Sequence, residues 1–142
     1  EDIVILKAKK RYRLKGIEFE VPCRQKHSVE TYGLRFNFPD CEGAKTVSLI
    51  SDTRYFESLK SLYKADVIIL NVVFYAERLE IEHLSLPDAK KLIYKVKPKA
   101  AIITHFGMSM LKNKPGIIAK NLSDELGIRV IAAYDGMRFE LN

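Results

Sequence analysis

The sequence predicts an α/β fold, with strands in the first part of the chain and alternating helices and strands in the rest. Up to residue 51 the apolar residues follow the two-residue period of half-buried strands. After residue 52, near-continuous apolar runs alternate with segments of helical period. Apolar runs of that kind are typical of parallel strands covered on both faces. This order favours a layered α/β or α+β arrangement.

Four strands are predicted in the first part of the chain. The segments 2–8, DIVILKA, and 16–22, GIEFEVP, are rich in β-branched and aromatic residues. The segment 31–39, TYGLRFNFP, alternates apolar and polar residues and stops at Pro39. The apolar segment 46–51, TVSLIS, completes the set.

The second part of the chain is predicted to alternate between helix and strand. The elements are a helix over 54–64, a strand over 65–74, a helix over 85–96, a strand over 99–106, a helix over 114–127 and one or two strands over 128–141. Ser85 and Asp88 have the spacing of an N-terminal capping box, and Gly127 is placed to end the last helix.

The charge balance permits a nucleic-acid partner but does not require one. The chain has 24 basic and 18 acidic residues, which gives a net charge of +6. The only dense basic cluster is KAKKRYRLK at 7–15, and solvated strand residues explain it equally well. The abundance of charged residues is also typical of a thermophile.

Composition argues for a cytoplasmic protein. No apolar run approaches the roughly 20 residues of a membrane span. The first residues have neither a basic region nor a small-residue cleavage site. Cys23 and Cys41 are too few for a disulfide framework and do not have zinc-finger spacing, so both are expected to be thiols in a reducing compartment. The chain lacks an initiator Met, which leads us to expect that it begins inside a longer gene product.

Four residues that can ligate a metal lie where a regular element gives way to a loop: His27, Asp52, His83 and His105. If Asp52 and His105 follow parallel strands, both project from the carboxyl edge of the sheet, where such sheets bind ligands. Imidazole and carboxylate are ligands that Zn²⁺ and similar ions accept. The four residues together therefore predict a metal site.

Structural roles are the alternatives for each of these residues. Asp52 is suited to cap the helix that is predicted near Arg54. His105 alone would be a packed or hydrogen-bonded histidine, and His83 a polar loop residue. Ser85 fits a cap better than a nucleophile. Arg54 fits a solvated face, and Met108 and Met110 fit packing positions.

Several segments resemble motifs of the metallo-β-lactamase-fold hydrolases, especially their ribonuclease Z and phosphodiesterase branch. KHSVETYGLRF is similar to a metal motif in which a His precedes Tyr-Gly and a strand, and LISDTRYF to a strand that ends in a bridging Asp. IITHFGMSM is similar to a strand that ends in Thr-His, and EHLSLPDAKKL to a segment with a proton-donating His. VIAAYDGMRFEL resembles the last strand pair of the fold. The resemblance covers roughly residues 14–142 and implies an αββα sandwich.

The resemblance implies a role for each candidate residue. His27 would bind one metal ion, His105 a second, and Asp52 would bridge them. His83 would be the general acid or an oxyanion stabiliser rather than a ligand. Two divalent ions, Zn or else Mn or Fe, would hold a hydroxide that attacks phosphorus or a carbonyl. The substrate would contain phosphate, with RNA one possibility.

The family's main motif, His-x-His-x-Asp-His, is absent from this sequence. The resemblance therefore implies that residues 1–142 are a single unit without a linker, corresponding to the C-terminal half of the fold. Its site would be completed by a missing N-terminal half or a partner chain, and this chain alone is not expected to be active. The chain is a fragment, a split subunit or a degenerate paralogue without metals. Non-catalytic nucleic-acid binding is the rival function, and an open sheet edge favours a homo-oligomer.

Overall fold

The computed structural model describes residues 3–141 and contains one mixed sheet with four helices. The strands are β1 (Lys10–Leu14), β2 (Ile17–Val21), β3 (Leu34–Asn37), β4 (Thr46–Ile50), β5 (Val67–Phe74), β6 (Leu84–Ser85), β7 (Ala100–Thr104) and β8 (Arg129–Ala132). The helices are α1 (Leu59–Leu62), α2 (Leu86–Val96), α3 (Met108–Lys112) and α4 (Pro115–Leu126). None of these helices is long and apolar enough to span a membrane.

The sheet changes from antiparallel to parallel at β4. Its strand order is β1-β2-β3-β4-β5-β7-β8, and β6 pairs with the end of β5. Strands β1 to β4 pair antiparallel, whereas β4, β5, β7 and β8 are parallel. The predicted α/β class is confirmed. Because β4 and β7 run in the same direction, the residues that follow them meet at one edge of the sheet.

The two faces of the sheet bury separate apolar clusters. Alternate residues of β5 belong to different clusters, as the two-residue period of a strand requires. Ile68 and Leu70 pack with residues of the four helices, such as Leu92. Val67 lies on the opposite face, which we call the apolar face. Its members are Phe36, Phe38, Ala44, Val47, Val67, Ile69, Ala100, Ile102, Ala133, Met137, Phe139 and Leu141.

The predicted capping box of α2 is confirmed. The Asp88 backbone N–H donates to Ser85 Oγ over 3.4 Å, and the Ser85 backbone N–H donates to Asp88 Oδ2 over 3.0 Å. Ser85 is buried in this role, which excludes it as an exposed nucleophile. Gly127 ends α4 with a φ of +64°, as predicted.

The prediction of a strand over residues 2–8 is wrong for the described residues 3–8, and Asp2 lies outside them. The first strand is instead β1. Lys15 and Gly16 both have positive φ, as a two-residue hairpin turn requires, so the strand that pairs with β2 must come directly before them. The basic cluster at 7–15 therefore contains an exposed strand.

The helix predicted over 54–64 is reduced to α1, which begins after Ser58. Residues 53 and 54 instead contact the loop before β3: Lys26 N donates to Thr53 Oγ1 and Arg54 N donates to Lys26 O, both over 3.0 Å. Asp52 therefore caps no helix. Helix α3 was not predicted from the sequence. In α3 Met110 is buried but Met108 is 67% exposed, so a packing role for Met108 is wrong.

Candidate metal centre

The structure gathers the four predicted side chains at the carboxyl edge of the parallel strands. Asp52 follows β4 and His105 follows β7. His27 lies in the connection between β2 and β3, and His83 directly precedes β6. These residues are far apart along the chain, so only the crossover connections of the sheet bring them together.

Asp52 is the centre of the group. Its Oδ1 lies 3.6 Å from His83 Nδ1 and 3.5 Å from His105 Nε2. The rings of His27 and His83 have centroids 5.1 Å apart, and those of His83 and His105 are 6.4 Å apart. His27, Asp52 and His83 each offer a ligand atom within 4.8 Å of the others. His105 lies outside that trio and contacts it through Asp52.

The donor set fits a divalent ion of the zinc type. It combines one carboxylate with imidazoles, and Asp52 and His83 are only 28% and 22% exposed. Among the described residues, His83 Nδ1 is a buried atom without a hydrogen-bond partner, so it is free to bind an ion or a proton. A catalytic zinc ion commonly has three protein ligands. The four residues suffice for one ion and are too few for two.

His27 requires a change of tautomer to bind through Nε2. Its Nδ1 accepts a hydrogen bond from the Val29 backbone N–H over 3.2 Å. A neutral ring that accepts at Nδ1 carries its proton on Nε2. Binding of an ion at Nε2 would place the proton on Nδ1 instead, which breaks the bond from Val29.

The loops that carry His27 and Asp52 are joined by residues that the sequence analysis did not identify. Thr53 is fully buried and accepts from Lys26 N while donating to Arg54 O. Arg54 also forms an ion pair with Glu82 over 2.8 Å, next to His83. These contacts hold three loops at the site. The only signal in the sequence was the position of Thr53 next to Asp52.

Asn71 is a second residue that sequence reasoning missed. It interrupts the apolar run of β5 and lies opposite Thr104 of β7. Its Nδ2 donates to Asp52 Oδ1 over 2.9 Å. This bond fixes the carboxylate oxygen that faces His83 and His105. The signal available in the sequence was a single amide residue, Asn71, within an otherwise apolar strand.

Backbone geometry at His105 is strained. His105 has a φ of +59°, a left-handed conformation that costs free energy for any residue except glycine. Two residues later Gly107 N donates to Val73 O over 3.1 Å, and a Cβ on Gly107 would lie 2.6 Å from that oxygen. Only glycine therefore permits this turn to approach β5 and hold His105 beside Asp52.

The connection that carries His27 is anchored in the core. A Cβ on Gly33 would lie 2.6 Å from Leu49 O and 2.7 Å from a ring atom of Tyr63. Buried Gln25 donates from Nε2 to the Tyr63 hydroxyl over 3.2 Å. Burial is the main reason why the pKa of Tyr63 is raised above its usual range. Tyr63 therefore stays a neutral hydrogen-bond partner that holds this connection against β4.

Sequence comparison identifies a family for most of the chain. The profile of the beta-lactamase superfamily domain matches residues 1–106. This range contains His27, Asp52, His83 and His105. Among curated proteins, none is significantly similar in sequence.

Solved structures of low sequence identity share the fold. The metallo-beta-lactamase fold protein YhfI from Bacillus subtilis has a TM-score of 0.77 at 18% identity, over 94% of this chain and 54% of that one. A diphosphatase of the PhnP family has a TM-score of 0.64 at 20% identity. The similarity covers 90% of this chain and 44% of the diphosphatase chain. The long form of RNase Z from yeast has a TM-score of 0.59 at 23% identity. The similarity covers 84% of this chain and 17% of the RNase Z chain. The chain spans about half the length of the first two structures.

Proposed function

Because the chain belongs to the beta-lactamase superfamily, we propose that it is a part of a metal-dependent phosphodiesterase and carries some of the residues of the hydrolytic site. The observation that carries this proposal is the position of Asp52 Oδ1, 3.6 Å from His83 and 3.5 Å from His105. One carboxylate between two imidazoles, with a third imidazole beside them, is a donor set for divalent ions.

In this proposal His27, Asp52 and His105 hold divalent ions, of which Zn is the first choice and Mn or Fe the alternatives. Bound ions supply Lewis-acid activation of water and neutralise charge on the reacting phosphate. Asp52 accepts from Asn71, so its carboxylate is oriented before any ion binds. The partial burial of Asp52 limits competition by water for the same oxygen.

His83 is proposed as the catalytic acid. Its Nδ1 lies 3.6 Å from Asp52 Oδ1, and Nε2 is the atom proposed to donate a proton to a leaving alkoxide. The ring packs edge-on against Phe74, with centroids 6.2 Å apart, and against His27. These contacts restrict its orientation.

A phosphate-containing substrate, with RNA as a candidate, is supported by the diphosphatase and the RNase Z among the similar structures. The remaining ligands are proposed to come from residues outside this sequence or from a partner chain. Support comes from the length of the similar structures and from the apolar face, where Phe36 and Phe38 are only partly buried. A homo-oligomer would cover the same face.

Metal content tests the proposal. We would add excess Zn²⁺ to the chain and to the full product of its gene, desalt both and measure zinc by elemental analysis. Zinc is expected to remain bound, and Asp52→Ala to abolish it. Asp40→Ala, which removes an exposed carboxylate elsewhere, should retain the wild-type content. A full product that retains no zinc, or equal retention by Asp52→Ala, would overturn the proposal.

Hydrolysis of a chromogenic phosphodiester tests the role of His83. In the zinc-loaded full product, His83→Ala is expected to lower kcat by about 10²–10⁴-fold while zinc content is kept. Loss of zinc together with activity would reassign His83 as a ligand. The rival, non-catalytic function is favoured by the exposed basic residues of β1 and predicts full nucleic-acid binding in the same variant.

A further inference from the structure

A basic groove begins at the amino ends of β4, β5 and β7, at the edge of the sheet opposite the candidate metal centre, and extends to Lys9 and Lys10 beside β2. Its floor includes Thr46 at the start of β4 and Asp66 just before β5, and Lys99 precedes β7. Asp52 and His105 follow the other ends of β4 and β7. Five residues of strand separate the two edges by roughly 17 Å. None of the four candidate metal-site residues lines the groove, which is therefore a separate surface.

The groove holds most of the net charge of the chain. Its main cleft has a volume of ≈ 910 Å³ and is lined by seven cationic and two acidic side chains. That is an excess of five positive charges, against +6 for the whole chain. The cationic residues are Lys9, Lys10, Arg11, Arg35, Lys64, Lys97 and Lys99. The rest of the chain is close to neutral, so the positive field is concentrated here.

The two acidic residues do not neutralise this charge. Glu20 pairs with Arg35 over 3.0 Å and with Arg11 over 3.4 Å. Asp66 pairs with Lys99 over 3.5 Å and accepts from the Thr46 backbone. Within residues 3–141, four lysines of the cleft have no carboxylate within ion-pair distance, namely Lys9, Lys10, Lys64 and Lys97.

Two of these unpaired lysines occupy positions that favour glycine. Lys9 has a φ of +61° and Lys97 a φ of +52° at the end of α2. A side chain at such a φ is strained. A glycine at either position would relieve the strain, so local backbone stability does not account for lysine there. Lys15 and Lys114 have the same conformation outside the groove, so glycine is a replacement that the backbone accepts at all four positions.

The shape of the groove fits a linear polyanion. A second cleft of ≈ 530 Å³ shares Arg11, Glu20, Arg35 and Thr46 with the first and adds Arg13, which pairs with Glu18 over 3.9 Å. The cations come from separate segments of the chain and line an open groove rather than a closed pocket. None of the lining residues of the first cleft is an exposed large apolar side chain.

We propose that this groove binds the phosphate backbone of a nucleic acid strand. Binding is through charge and does not depend on the candidate metal centre, which shares no residue with the groove. Affinity is expected to fall steeply with salt, because each neutralised phosphate releases counterions.

Fluorescence anisotropy with a labelled single-stranded RNA, and with DNA of the same sequence, tests the proposal in the presence of a chelator. The test variant is Lys9→Gly with Lys97→Gly, which removes two charges from the groove where glycine suits the backbone. The matched control is Lys15→Gly with Lys114→Gly. This control also removes two positive charges, but from residues outside the groove. Their φ angles, +48° at Lys15 and +56° at Lys114, are positive like those of the test positions.

The test variant is expected to bind at least about tenfold more weakly and to lower the salt slope by about two, while the control stays within about twofold. Comparable loss in both variants, or an unchanged slope in the test variant, would overturn the proposal. So would wild-type binding to anionic vesicles but to neither nucleic acid. Asp52→Ala should bind the labelled nucleic acid with wild-type affinity. A failure of the zinc-binding assay would therefore leave this proposal intact.

Discussion

Asn71 donates a hydrogen bond to the oxygen of Asp52 that also faces two histidines. Asn71 Nδ2 lies 2.9 Å from Asp52 Oδ1, and His105 Nε2 lies 3.5 Å from the same atom. Because an amide donor can occupy only part of the lone-pair space of that oxygen, the carboxylate is held in place yet keeps room for an ion.

Removal of the Asn71 amide should weaken metal binding without abolishing it. Asn71→Ala is expected to lower the affinity for zinc about 10–100-fold, the usual effect of losing a group that orients a ligand. Competition with a chromogenic chelator would measure it. Asn121→Ala, on an exposed helix position, should leave the affinity unchanged. An unchanged affinity in Asn71→Ala would remove Asn71 from the site.

Gly107 should not tolerate a side chain. In Gly107→Ala the new Cβ would lie 2.6 Å from Val73 O, so the turn after His105 must move away from β5. We expect a loss of roughly 1–3 kcal/mol in the free energy of unfolding, measured in urea. Gly116→Ala in α4, where a Cβ has nothing within 4 Å, should be neutral or stabilising. Equal stability of the two variants would contradict the close approach.

The Tyr63 hydroxyl should contribute to stability through Gln25. Tyr63→Phe removes the acceptor of the Gln25 amide, which is buried and has no second partner among the described residues. The expected cost is about 1–3 kcal/mol in the free energy of unfolding. Tyr94→Phe, at a position that is 62% exposed, is the control and should change little. A stable Tyr63→Phe variant would show that Gln25 finds another partner.

Glu57 should make the free energy of unfolding depend on pH at acidic pH. Hydrogen bonds from Lys60, Lys95 and Tyr55 lower its pKa to about 2. In the unfolded chain a Glu titrates near 4.3, so the native state favours the charged form. The contribution of the Glu57 carboxylate to the free energy of unfolding is present above about pH 4.3 and is lost as the pH falls towards 2.

The urea midpoint between pH 5 and pH 2 would measure this effect. It should fall less with acid in Glu57→Gln than in the wild type, because the variant has no proton to take up at this position. Glu42→Gln, which removes an exposed carboxylate without an ion pair among the described residues, should follow the wild-type curve. Parallel curves for all three proteins would rule out the shifted pKa.

Local sequence patterns were sufficient where one segment decides its own structure. The alternation in 16–22 predicted β2, and the Ser85–Asp88 spacing predicted the cap of α2. The pattern failed at 2–8, because the turn at Lys15 and Gly16 selects the residues that pair with β2. It failed again at 54–58, where contacts with Lys26 replace the first turns of the predicted helix.

For the candidate site, too, the sequence predicted some features and the tertiary structure supplied the others. His27, Asp52, His83 and His105 were identified from residue type and from their places at the ends of elements, and their individual roles stay predictions. By itself the sequence determined which groups can bind a metal, because ligand chemistry belongs to the residue. Only the tertiary structure decided that Asp52 lies between His83 and His105, that Asn71 orients it, and that unpaired lysines from separate segments gather in one groove. Those relationships depend on strand order and register, which join segments that no local pattern connects.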